Sequence, residues 1–301
     1  MEYITSHLGE LAALVTAICW TATSMAFESA GKKVGSLSVN LIRLVMALVL
    51  LGIFTTITRG HFWPVDAGMH AWFWLSLSGL VGFVIGDLLL FQAFVVIGAR
   101  VSMLIMALTP PLAALFGWLI LGEQMTLINT FGMVLTILGI ALVILGRPMK
   151  GKRLSFNFPL AGLLLAFGGA AGQALGLVLS KLGMGDLDAF MSTQIRVIAG
   201  IIGFVLVFFG WRKWGNVWTA LKNKSAMGRI GIGAFFGPFL GVSFSLLAVK
   251  YTTTGIASTL MALTPVMIIL PARYIFKEKI TTKEVVGAFI AVAGVVVFFV
   301  F

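Results

Sequence analysis

Apolar residues run along this chain in blocks of about twenty, each ended by a short polar break, and a bilayer core about 30 Å thick needs about 20 such residues per crossing helix. The blocks run from Leu8 to Phe27, Leu37 to Thr58, Ala71 to Ala93, Gly98 to Leu121, Leu127 to Leu145, Leu160 to Ser180, Ala189 to Gly210, Ile230 to Val249, Gly255 to Phe276 and Thr281 to Phe301. None alternates with period 2 over about ten residues, as the strands of a membrane β-barrel do. The predicted fold is an all-α membrane protein with ten transmembrane helices. The first block is expected to stay in the mature protein, because no basic residues precede it and Glu2 and Glu10 flank its start.

Composition agrees with that reading. Of 301 residues, 60% are hydrophobic and 10% charged, against roughly 25% charged in soluble domains. The net charge of +11 sits in short loops, so a soluble enzyme and a nucleic-acid binder are both excluded. One cysteine and three histidines leave no metal-ligand cluster, and no cofactor or obligate protein partner is expected.

Orientation follows from the basic residues, which cytoplasmic loops retain. Sixteen of the 21 fall in odd-numbered loops and three, Arg59, Lys181 and Lys250, in even ones, while Arg43 and Arg196 lie inside spans. Odd loops are therefore placed in the cytoplasm and both termini outside. Seven of the eight tryptophans sit at span ends, suiting the headgroup region; Trp20 does not. In the longest loop Trp214, Trp218 and Leu221 share one helical face flanked by Lys213, Lys222 and Lys224, which predicts a short interfacial helix.

An internal repeat is the most specific signal. Met106-Ala107-Leu108-Thr109-Pro110 recurs letter for letter as Met261-Ala262-Leu263-Thr264-Pro265, at an offset of 155. Glu123 and Glu278, Thr126 and Thr281, Gly132 and Gly287, and Gly139 and Gly294 keep that offset, and Ile42-Arg43 matches Ile195-Arg196 at 153. The chain thus reads as two five-helix repeats, residues 1–146 and 159–301, joined by a basic cytoplasmic linker at 147–158. Five is odd, so the second copy enters the membrane from the opposite side and the repeats are inverted. Such halves can exchange conformations about a site near the midplane, which is alternating access.

Two five-helix repeats, each with an apolar-Leu-Thr-Pro span, a Gly-Glu or Lys-Glu at its end and a Gly-spaced fifth span, resemble the EamA family of the drug/metabolite transporter superfamily. The resemblance covers nearly the whole chain and departs from the usual pattern at Pro111 and at Lys277, where the first copy has Gly122. It implies a transporter of small molecules such as amino acids, nucleobases, drugs and other metabolites, without choosing among them.

Several residues are candidates for the work. Thr109, Pro110 and Pro111, with Thr264 and Pro265, should loosen the fourth and ninth spans, as static kinks or as hinges. A charge buried at the bilayer centre costs about 2.5–3.5 kcal/mol, which singles out Arg43, Asp87 and Arg196. Arg43 and Asp87 each lie six residues from the cytoplasmic end of their spans, about 9 Å deep at 1.5 Å per residue, so they are predicted to pair. That pair is either structural or a proton-coupling site. Arg196 faces no repeat-equivalent acid, because the stretch matching Asp87 is Gly241-Val242-Ser243; it either receives a substrate carboxylate or snorkels. Trp20, whose repeat mate is Gln173, is expected to face a central cavity with Gln92, Gln173, Asn40, Gln194 and Ser243. Glu123 and Glu278, at span ends, are read as caps or gate residues.

The expected function is secondary active transport, as an exporter of small metabolites or drugs, with protons as the candidate coupling ion. The expected location is the cell membrane, the inner membrane of a bacterium. A facilitative channel or uniporter is the alternative, and an enzyme is not expected because no clustered acids, metal site or nucleophile with a base is present.

Overall fold

The computed structural model describes residues 7–97, 102, 105–146, 159–267, 269–274 and 280–300. The first half holds α1 (Leu8–Val34), α2 (Ser36–Arg59), α3, α4 (Thr109–Leu121) and α5 (Leu127–Gly146). The second half holds α6 (Leu160–Met184), α7 (Ala189–Trp211), α8 (Trp214–Lys222), α9, α10 (Thr254–Met261), two short segments α11 (Thr264–Met267) and α12 (Ile269–Tyr274), and α13 (Thr282–Val300). Both α3 and α9 are continuous three-part helices: Met69–Gly79, Leu80–Gly86 and Asp87–Ile97 in α3, and Lys224–Ala234, Phe235–Gly241 and Val242–Tyr251 in α9. The middle segment of each is wound as a π-helix.

Among the described residues, eight helices are long and apolar enough to cross a membrane: α1, α2, α3, α5, α6, α7, α9 and α13. The fourth and ninth predicted spans are not continuous helices. A turn at Ala107-Leu108 precedes α4, and one at Ala262-Leu263 precedes α11, at the same repeat offset. Each Thr-Pro therefore opens a new helical segment and does not kink an existing one. Proline is tolerated there because a first-turn amide has no helical acceptor to lose. The predicted interfacial helix is α8, on which Trp218 is 65% exposed.

Antiparallel packing relates the halves. Gly132 of α5 meets Gly294 of α13, Thr136 meets Ala291, and Gly139 meets Ala291 and Gly287, so position rises along one helix as it falls along the other. Thr136 and Ala291 are themselves repeat mates, and the hydroxyl of Thr136 donates to the Ala291 carbonyl at 3.4 Å. A pseudo-twofold axis crosses the helices at that point. The same operation exchanges the α3 on α6 contact with the α9 on α1 contact, and the α4 on α6 contact with the α11 on α1 contact. It also maps the α2 on α7 contact onto itself.

Small residues make this closeness possible. A Cβ on Gly172 would lie 2.9 Å from the Cα of Gly86, and one on Gly176 equally close to the Cα of Gly82, so α6 and α3 touch backbone to backbone. Ser78 reinforces the crossing with hydrogen bonds to Ser180 at 2.7 Å and to the Gly176 carbonyl.

Candidate functional site: a cavity on the pseudo-twofold axis

Between the halves lies a cavity of about 330 Å³, at the small end of small-molecule sites, which run from about 300 to 1,000 Å³. Its walls are largely repeat-related: Arg43 with Arg196, Trp20 with Gln173, Phe83 with Pro238, Asp87 with Val242, and Met106, Ala107 and Thr109 with Met261, Ala262 and Thr264. Both helix breaks and both π-helical segments border it. A π turn leaves a carbonyl outside the normal ladder and is frequent at functional sites. Here Gln173 Nε2 donates to the carbonyl of Gly82, in the π-segment of α3, at 3.2 Å.

On one side the charges are matched. Arg43 donates to Asp87 Oδ2, and Gln173 Nε2 donates to Asp87 Oδ1 at 2.8 Å, so both carboxylate oxygens are engaged. Arg43 also lies over the ring of Phe27, 5.2 Å from its centroid.

The other side is unmatched. Arg196 is 5% exposed, its guanidinium carbon stands 4.8 Å from the centroid of Phe83, and its Nε has no hydrogen-bond partner. No carboxylate among the described residues is within ion-pair distance of it. The ring face of Phe83 offsets part of the desolvation, by about 2 kcal/mol for a desolvated cation, and leaves the guanidinium without a carboxylate in contact.

The even-loop end is tied shut across the halves. Gly122 adopts a left-handed conformation (φ +67°) that ends α4 and turns the chain, so that Glu123 points back at the second half. Its Oε2 accepts from the amide of Thr254 at 2.8 Å and from the Thr254 hydroxyl at 2.7 Å. Lys181 Nζ lies 2.6 Å from Oε1, off the hydrogen-bonding angle but close enough to pair the charges, and donates to the Thr252 carbonyl at 2.7 Å. Gln194 adds a bond to the Phe62 carbonyl at 2.6 Å.

Of the residues picked out from the sequence, Trp20, Arg43, Asp87, Thr109, Gln173, Arg196 and Thr264 line the cavity. Four expected to face the cavity do not: Gln92, Ser243, Gln194 and Asn40. Gln92 is exposed on the outer surface of α3, and Ser243 is fully buried beside the cavity with its hydroxyl unpartnered. Ser245 lines the wall in its stead. Gln194 serves the even-loop tie, and Asn40 is buried away from the wall with its amide unpartnered. Pro110 is buried next to the cavity and Pro111 half-buried, and Pro265 shares the first turn of α11 with Thr264. Glu278 lies outside the described residues. Lys181 and Thr254 were not anticipated as partners of Glu123; Lys181 was distinguishable only as one of the three basic residues in even loops. Among the described residues no three His, Cys, Asp or Glu side chains cluster as a metal site would require.

Comparison with known proteins agrees with this architecture. The EamA-like transporter family matches residues 7–145 and again 160–300. Solute carrier family 35 member G1 of Mus musculus is 27% identical over 154 residues, which is 48% of this chain and 42% of that protein. The chain thus spans less than half the length of this relative. A crystal structure described only as that of a protein superposes with a TM-score of 0.74 over 96% of both chains at 18% identity, a likeness of fold.

Proposed function

We propose that this chain, which belongs to the EamA-like transporter family, is a secondary active transporter that moves small metabolites or drugs across the cell membrane by alternating access. In this reading ten spans cross the bilayer, the fourth and ninth being the broken ones, and both termini lie outside. The single observation that carries it is the position of the cavity: it straddles the pseudo-twofold axis and is walled by the same residue positions of two antiparallel repeats. Exchanging the conformations of the halves moves its opening from one end to the other without moving the site.

With even loops outside, the Glu123, Lys181 and Thr254 cluster would close the outer end. Solute would then exchange from the cytoplasm, the side from which an exporter loads. The mouse relative, a solute carrier, supports transport.

Reconstitution into proteoliposomes tests the proposal. Vesicles loaded with an unlabelled solute from a panel of amino acids, organic acids, nucleobases and cationic drugs should accumulate the same labelled solute transiently against its gradient, with saturation. Linear, non-saturating flux without counterflow would establish a channel. A pH gradient that accelerates uptake, and no longer does so in Asp87→Asn, would place proton coupling at Asp87.

A further inference from the structure

The charges facing the cavity do not balance, and the imbalance has a chemical signature. Among the described residues its ionisable side chains are Arg43, Asp87 and Arg196, two cations and one anion. Asp87 pairs with Arg43 and accepts from Gln173, and no ion pair or hydrogen bond joins it to Arg196. Arg196 therefore carries the surplus positive charge, 5% exposed, with its Nε unpartnered. Thr109 brings a second unfilled group to the same cavity, a buried hydroxyl without a hydrogen-bond partner. Most of the remaining lining is apolar, including Phe83, Leu90, Ile140, Leu177 and Met261.

Buried cations are costly unless paired, and a guanidinium pairs best with a planar carboxylate that takes two of its N–H groups. One carboxylate brings the cavity to neutrality. A dicarboxylate overshoots, a zwitterion leaves the surplus in place, and a cation adds to it. We infer that the ligand of this cavity is a small monoanionic organic acid, its carboxylate received by Arg196 and its apolar body laid against apolar lining such as Phe83, Leu177 and Met261. The inference rests on the cavity being the transport site proposed above, and names the class of solute it takes.

Binding to the purified full-length protein separates this from the alternatives. The probes are benzoate, 3-phenylpropionate and hexanoate, with benzamide, phenylalanine, benzylamine and phthalate as charge-altered counterparts and sodium chloride as the inorganic control. At least one monocarboxylate should raise the thermal midpoint in a saturable way and bind at least about tenfold more tightly than its amide, its amino acid counterpart or phthalate, at constant chloride. Arg196→Gln should lower that affinity by about tenfold or more, and Arg196→Lys, which keeps the charge but not the planar fork, by less. Should Arg196→Gln fail to fold, the comparison of carboxylate with amide on the parent protein decides.

The inference is overturned if no monocarboxylate shifts the midpoint, if benzamide or phenylalanine binds as well as its carboxylate counterpart, or if chloride alone gives the full shift. It is equally overturned if Arg196→Gln binds the carboxylate unchanged. Counterflow of neutral or cationic solutes without that of any monocarboxylate would sink the solute class and keep the transporter. Carboxylate binding lost in Arg196→Gln, with no counterflow of any solute, would keep the site and sink the transporter.

Discussion

The two halves of this molecule share a scaffold and differ in chemistry, most clearly where α3 and α9 pass the cavity. Both carry a π-segment at the same register, and both are crossed by a helix from the opposite half. Yet the first half presents Asp87 paired with Arg43 and held by Gln173, where the second presents Val242 opposite Arg196, with Trp20 as the counterpart of Gln173. Symmetry here governs backbone positions and the capacity to exchange shapes. Departures from symmetry decide what enters: one half is electrostatically complete and the other is one carboxylate short.

The largest effect should come from spoiling the complete half. Asp87→Ala leaves the part-buried Arg43 unpaired, and removing one partner of a buried ion pair costs about 3–5 kcal/mol. Unfolding in detergent by an SDS titration measures this, and the double variant Arg43→Leu with Asp87→Leu should recover most of the loss. Next comes the frame that relates the halves. A Cβ on Gly139 would collide with the backbone of Ala291 and Gly287, so Gly139→Ala should cost about 1–3 kcal/mol in the same titration, the usual range for overpacking.

Completing the other half sharpens the comparison further. Val242→Asp would supply Arg196 with the partner its repeat mate already has. It should weaken monocarboxylate binding about tenfold, or about 1.4 kcal/mol, while leaving the protein at least as stable as its parent. Smallest is the even-loop tie. Glu123→Gln keeps an acceptor for Thr254 but loses the charge facing Lys181, for about 1 kcal/mol. A cysteine at position 254 should label faster from the even-loop face in that variant than in the Thr254→Cys parent.

Much of this arrangement was legible in the order of the residues. Apolar blocks fix helices because backbone amides in lipid must be satisfied within the segment, and the repeated Leu-Thr-Pro marks the two breaks. Equal depths of Arg43 and Asp87 along neighbouring spans foretell a meeting that is then observed. Gln92 was misplaced for a reason already present in its spacing. It follows Asp87 by five residues, which at 3.6 residues per turn puts it about 140° round the helix from a side chain that faces the cavity. The π-segments were not legible at all, since hydropathy records which residues are apolar and not to which carbonyl each amide turns. Glu123 was seen to be at a helix end, but its partners Thr254 and Lys181 come from the other half, and pairings across 131 and 58 positions of sequence leave no local trace.

The matching π-segments say something about ancestry. A π turn accommodates about one residue more than an α turn, so each marks a surplus residue in its helix, and the surplus stands at the same register in Leu80–Gly86 and Phe235–Gly241. One event before the gene doubled explains both; two independent insertions would have to coincide. The ancestral polypeptide, half as long, already carried the irregularity, and two of its copies inserted in opposite senses would have enclosed a chamber with identical walls. The difference between Asp87 and its repeat mate Val242 then dates from after the doubling, when two copies of the sequence could first change separately.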